Sequence, residues 1–142
     1  MNQTVTDAQM TSLYEAALKA AGYSYSPYSL FPVGAALLFS DGSVETGANI
    51  ENRSYGLANC AERTAMFAAA AKGRRELKAV AIATPKADYA VGPCGACRQV
   101  LTEFGPGGTP VWFGPSLDKV EKTTLGALYP FDSLHELAKD AE

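Results

Sequence analysis

A chain of 142 residues with 47% hydrophobic and 19% charged residues fits one folded domain spanning 1–142, not a disordered segment. Its net charge of −3, without any Lys/Arg run, argues against a nucleic-acid partner, because polyanion binding depends on clustered cations. No apolar run reaches the ~18 residues of a membrane helix, Met1 to Asp7 carry no signal-like apolar stretch, and three cysteines do not suit a disulfide framework, so a cytoplasmic protein with reduced thiols and no membrane contact is expected.

In chain order, Thr6-Asp7-Ala8-Gln9 has the form of a capping box. Met10, Leu13, Ala17, Leu18 and Ala21 follow at helical spacing, which predicts an amphipathic helix over 7–21 with Gly22 as its stop. Tyr25-Ser26-Pro27-Tyr28-Ser29-Leu30-Phe31-Pro32 cannot propagate a helix and reads as an aromatic-rich ordered loop. Val33 to Phe39 is an apolar run, Asp41-Gly42 a hairpin turn, and Ser43 to Ile50 the returning strand. Asn59 to Lys72 is an alanine-rich helix stopped by Gly73. A short buried strand is expected at Ala79 to Ala83, a helix at Cys94 to Phe104, and a strand at Pro110 to Phe113. A short helix at Thr124 to Leu128 follows, and Ser133-Leu134-His135-Glu136 could cap a last one. A hairpin followed by alternating helix and strand predicts an α/β fold, a mixed sheet covered by helices.

The chemistry concentrates at two predicted helix starts. Cys60-Ala61-Glu62 opens one, and Pro93-Cys94-Gly95-Ala96-Cys97 opens the next. Exposed N–H groups and the positive end of the helix dipole stabilise thiolates there. Three thiolates from Cys60, Cys94 and Cys97 suit a tetrahedral zinc and leave its fourth position for water, which is the count of a catalytic site. Glu62 is not needed as a ligand and is placed to act as general acid and base. This is the ligand pattern of zinc deaminases as a class. Zinc with three thiolates carries a net charge of −1. Arg63, next to Glu62, and Arg98, next to Cys97, are the cations at hand to offset it, and Arg63 is expected to hydrogen-bond the thiolates.

Two plainer readings compete. Cys94 and Cys97 alone could be a redox pair at a helix start, but that leaves Cys60 and Glu62 without a role. A closed structural zinc site needs a fourth ligand, and His135 is the single histidine in the chain.

At these residues the chain resembles the small homotetrameric cytidine deaminases. The likeness runs from Tyr25 to about Pro130, through Tyr25-Ser26-Pro27-Tyr28-Ser29 with Phe31, Val33-Gly34-Ala35-Ala36, Gly47-Ala48-Asn49-Ile50-Glu51-Asn52, Cys60-Ala61-Glu62-Arg63-Thr64-Ala65 and Pro93-Cys94-Gly95-Ala96-Cys97-Arg98-Gln99-Val100-Leu101. The zinc motif alone marks a superfamily; the Asn-Ile-Glu-Asn stretch and the aromatic loop narrow it to nucleoside deaminases. The resemblance implies a three-layer α/β/α fold, a Zn2+ cofactor, a nucleoside substrate and a homotetramer with sites near subunit interfaces. It implies that Asn49 and Glu51 bind the ribose 3′-hydroxyl, that Phe31 packs on the pyrimidine, that Ala61 contacts the base through its backbone, and that Tyr55 lies at a subunit interface. The reaction implied is hydrolytic deamination of cytidine, with deoxycytidine, in pyrimidine salvage. Blasticidin S or a modified cytosine nucleoside is the nearest alternative substrate. The family usually carries Leu-Leu-Pro-x-x-Phe near its C-terminus; here Leu128-Tyr129-Pro130-Phe131-Asp132-Ser133 puts serine where that phenylalanine is expected, with Phe131 nearby.

Overall fold

The computed structural model describes residues 4–132 together with Leu137. The expected cap at Ser133 to Glu136, and His135 with it, lies outside the described residues. Helix α1 (Asp7–Ala21) begins at the capping box read from the sequence. Thr6 Oγ1 accepts the Gln9 N–H at 3.1 Å, and Gln9 Oε1 accepts the Thr6 N–H at 2.8 Å. Its buried face is Met10, Leu13, Tyr14, Ala17, Ala20 and Ala21. Leu18, counted with that face from spacing, is 42% exposed. Tyr14 is buried instead, and its hydroxyl donates to the Gly114 carbonyl at 2.8 Å.

The sheet among the described residues has five strands in the order β2-β1-β3-β4-β5. They are β1 (Gly34–Phe39), β2 (Val44–Ala48), β3 (Leu77–Ala83), β4 (Pro110–Gly114) and β5 (Glu121–Thr124). β1 and β2 form the expected antiparallel hairpin, with Gly42 at φ 83° in its turn. β1 also pairs antiparallel with β3, β3 runs parallel to β4, and β4 pairs antiparallel with β5. The parallel pair is joined through α3 (Gly95–Phe104), as a parallel connection requires.

Strand alternation sends side chains to two separate cores. On one face α1 packs on Ala36, Ala79, Ala81, Ala83 and Trp112. On the other, α2 (Ala61–Ala71), α3 and the short α4 (Leu125–Leu128) pack on Leu37, Val80, Ile82, Val111 and Phe113. The result is the mixed sheet covered by helices expected from the order of elements, in the three-layer α/β/α arrangement that the resemblance implies.

Two glycines in the hairpin let helices approach from opposite sides. A Cβ at Gly34 would stand 2.0 Å from the Ala17 carbonyl oxygen of α1. One at Gly47 would stand 2.7 Å from the Ala61 carbonyl oxygen and 2.6 Å from the Ala65 nitrogen of α2. Backbone cannot yield as a flexible side chain can, so Gly47 sets how deeply the first turn of α2 sits. Gly47→Ala is expected to cost about 1–3 kcal/mol through overpacking. Urea unfolding measures it, and an unchanged midpoint would show that α2 shifts freely.

Candidate active site

Each cysteine reaches the site from a helix start. Cys60 is the N-cap residue of α2 and Cys94 that of α3, both with extended backbone. Cys94 is therefore not in the helix with Cys97; it precedes the helix, and its Sγ accepts the Cys97 N–H at 3.4 Å. The thiol occupies the place of a Ser or Asp cap. Cys97 sits one turn in and is buried.

The three sulfurs lie within 4.8 Å of one another and are the one His/Cys/Asp/Glu group of this kind among the described residues. Cys60 and Cys94 Sγ are 3.8 Å apart, and Cys94 and Cys97 Sγ 3.5 Å. A tetrahedral zinc with Zn–S bonds of about 2.3 Å would hold its sulfurs about 3.8 Å apart. The cluster fits zinc, and with three donors it leaves one position open.

Charge is arranged to suit. Arg63 Nη2 donates to Cys60 Sγ at 3.3 Å, as expected from its sequence position. Hydrogen bonding from Cys97, with further help from Arg63, holds the Cys60 thiol at about 5, far below the ordinary thiol range. Cys97 is pushed up, because it shares that hydrogen bond, is buried and faces the Glu62 charge. A metal bound here displaces the remaining thiol protons. Arg98 behaves differently from Arg63. Its Nε donates to the Pro93 carbonyl at 2.8 Å and its Nη1 to the Leu128 carbonyl at 3.0 Å. It braces the backbone before Cys94 and makes no hydrogen bond to the thiolates.

Glu62, in the first turn of α2, is 4% exposed. Burial raises its pKa, and the nearby Cys60 charge adds to the effect. A carboxyl poised this way is suited to taking and giving protons.

A cleft of about 370 Å³ opens beside the sulfurs. That is within the range of small-molecule sites, roughly 300–1,000 Å³. Of the residues the sequence points to for the site, Phe31, Asn49, Glu51, Cys60, Ala61, Glu62, Arg63 and Cys94 line it, while Cys97 and Arg98 do not. Cys97 lies beneath them. Ile82 and Thr84, at the end of β3, also line it and carried no sequence signal. Their place follows the general rule that α/β sheets bind ligands at the carboxyl ends of their strands.

The polar pair at the mouth is already partly engaged. Asn49 Oδ1 accepts the Val33 N–H at 2.9 Å and the Ser24 hydroxyl at 2.5 Å, while Nδ2 donates to the Phe31 carbonyl at 2.9 Å. One amide N–H remains for a ligand. Glu51 Oε1 accepts the N–H groups of Tyr28 and Ser29 at 3.0 and 3.1 Å, and Oε2 accepts the Ser29 hydroxyl. Those bonds, the Ser29 hydroxyl first, hold the Glu51 carboxyl below the usual carboxylate range. Glu51 thus stays an acceptor, with lone-pair capacity left on Oε2. Between them the two side chains offer one donor and one acceptor, the complement of a single hydroxyl.

Around the mouth stand exposed apolar side chains. Tyr55 is 78% exposed and meets Tyr28 edge-on at 6.1 Å between ring centroids. Leu30, Ile50 and Leu57 are also exposed. Phe131 is 91% exposed and does not line the cleft. Ser133 lies outside the described residues.

Residues 7–112 match the family model described as the cytidine and deoxycytidylate deaminase zinc-binding region. The chain belongs to that family. Among similar proteins is the cytidine deaminase of Halalkalibacterium halodurans, 50% identical over 124 residues, which are 87% of this chain and 92% of the relative. The cytidine deaminase of Sporosarcina psychrophila is 49% identical over 112 residues, 79% of this chain and 82% of the relative. Among solved structures, cytidine deaminase from Burkholderia pseudomallei superposes with a TM-score of 0.81 at 44% identity, covering 89% of this chain and 98% of that one. Membership in a zinc-binding deaminase family agrees with the sulfur spacing and disfavours the redox-pair reading of Cys94 and Cys97.

Proposed function

We propose that the chain is a zinc-dependent hydrolytic deaminase that converts cytidine, and deoxycytidine with it, to uridine or deoxyuridine and ammonia. One observation carries the reading: a three-sulfur cluster with zinc spacing borders the same cleft as a buried glutamate and a polar pair complementary to a hydroxyl. The relatives named cytidine deaminase support the choice of substrate over blasticidin S or a modified nucleoside.

Cys60, Cys94 and Cys97 hold the ion, and Arg63 offsets the excess thiolate charge. Bound there, zinc supplies a Lewis acid that brings the pKa of water towards 7. Glu62 takes a proton from the attacking water and delivers it to N3 of the base, which makes C4 electrophilic. Oxygen adds to C4. Glu62 then takes the second water proton from the new C4 hydroxyl and gives it to the amino group; the C4–N bond breaks as the C4 carbonyl forms, so water and cytidine leave as uridine and ammonia. Asn49 donates its free N–H to the 3′-oxygen, and Glu51 accepts from the 3′-hydroxyl. Phe31 packs on the pyrimidine, and the Ala61 backbone contacts its edge. Holding water, proton carrier and C4 together supplies much of the rate.

Arg63→Ala is expected to weaken zinc affinity or turnover by about 10–100-fold, as for other groups that hydrogen-bond metal ligands. Zinc competition against a chromophoric chelator reads it, and unchanged affinity with unchanged turnover would remove Arg63 from the site.

The exposed apolar rim at Tyr28, Leu30, Ile50, Tyr55 and Leu57 supports assembly, since such patches mark interaction sites. We place it at the subunit contacts of a homotetramer, acting in pyrimidine salvage in the cytoplasm as a single domain. No helix among the described residues is long and apolar enough to cross a membrane.

The test is direct. Purified protein is incubated with cytidine, deoxycytidine, cytosine and CMP, and the ultraviolet change on deamination is followed. Turnover of both nucleosides ahead of cytosine and CMP is expected. Absence of nucleoside turnover by zinc-loaded protein would overturn the reading.

A further inference from the structure

The sequence marks Ser29 only as part of an aromatic loop, and the reaction above gives it nothing to do. Its hydroxyl nevertheless has two partners of consequence. It donates to Glu51 Oε2, and it accepts the N–H of Phe31 at 3.1 Å. The first partner is the sugar acceptor of the proposed site. The second belongs to the residue whose ring packs on the base. A hydroxyl has one donor and two acceptor positions, so a single oxygen ties the two substrate-reading residues together.

The backbone between them needs such a tie. Leu30 has φ 57°, the single positive φ outside glycine among the described residues. Leucine is an unfavourable residue there, and the conformation persists only where surroundings fix it. The Leu30 N–H bonds to the Ser26 carbonyl at 3.0 Å, the Tyr28 and Ser29 N–H groups bond to Glu51, and the Ser29 hydroxyl closes the turn onto Phe31.

We propose that Ser29 is a positioning residue for sugar recognition: its hydroxyl fixes the Glu51 carboxylate and the Phe31 backbone in one geometry, so that the 3′-hydroxyl and the base are read together. The proposal rests on the assignment of Asn49 and Glu51 to the sugar. Without the Ser29 hydroxyl, Oε2 loses its fixed donor and the Phe31 N–H loses its acceptor. Glu51 keeps its Oε1 contacts, so the loop stays attached while its sugar-facing oxygen is no longer aimed.

The experiment compares cytidine with 3′-deoxycytidine as substrates of zinc-loaded protein. Wild type is expected to favour cytidine through kcat/KM. Ser29→Ala is expected to shrink that preference about tenfold, mainly through the KM of cytidine, with kcat changed less. Ser29→Thr, which keeps the hydroxyl, is expected to restore it. A general loosening of the loop would instead slow both substrates equally. Equal losses on the two substrates, or a Ser29→Ala preference equal to wild type, would overturn the proposal while leaving the deaminase reading intact. A wild type that does not distinguish the two substrates would overturn the sugar assignment and the proposal together. Should Ser29→Ala not fold, Ser29→Cys, with a similar shape and a weak donor, carries the same comparison.

Discussion

Glu62→Ala is expected to keep the fold and the zinc and to lose deamination by about 10²–10⁴-fold, the usual contribution of a general acid and base. None of the three sulfurs needs Glu62 as a co-ligand, because the cluster is complete without it. Stability is not expected to fall with the carboxylate. Its raised pKa shows that the folded surroundings disfavour the charged form, with burial the main cause. Residues that strain a fold for the sake of chemistry commonly release stability when replaced. Glu62→Gln preserves the shape and removes the proton transfer, and it should fall as far. Steady-state turnover and zinc content measured on the same samples settle the matter. Zinc loss in the mutant, or near-normal turnover, would remove Glu62 from the proton path.

The second large effect concerns the metal. Cys94→Ser is expected to bring zinc from about one per chain to well below that at limiting metal, and to take nearly all turnover with it. Serine is a sound choice for separating metal from fold. Cys94 is the N-cap of α3 and already accepts the Cys97 N–H through its side chain. Serine caps helices well, but its hydroxyl is a poor zinc ligand beside a thiolate. The helix should survive while the cluster loses a donor. Metal analysis after gel filtration, with circular dichroism on the same protein, separates the two. Full zinc loading in Cys94→Ser would mean that Cys94 is not a ligand.

The site was far more legible in the sequence than the contacts that hold it. Ligand chemistry is local: a thiol three residues from another, at the start of a helix, restricts what it can do. Cys60, Glu62, Cys94 and Cys97 could therefore be read from spacing, and the structure gathers their side chains at one place. α1 was legible for the same reason, since its cap and stop are written in adjacent residues. Partnerships across distant sequence leave no such mark. Nothing in Tyr28-Ser29 points to Glu51, and nothing in Arg98 points to the Leu128 carbonyl. β5 leaves no signal in the sequence because Glu121-Lys122-Thr123-Thr124 has no apolar pattern. It is an edge strand, and charged residues there discourage unwanted pairing. Leu18 fitted the helical period yet faces solvent, because α1 buries a narrow stripe against alanines and Tyr14 fills the depth instead.

The placement of Cys60 and Cys94 at two helix starts has a consequence for the chain as a polymer. The two residues are 34 positions apart, with α2 and β3 between them. An ion bonded to both closes that stretch into a loop, as a covalent cross-link would. The loop-entropy relation for such a link gives roughly 3–4 kcal/mol of restraint on the unfolded chain. A chelator would then act on this protein twice: it would stop the chemistry at once, and it would release a loop that includes a central strand of the sheet.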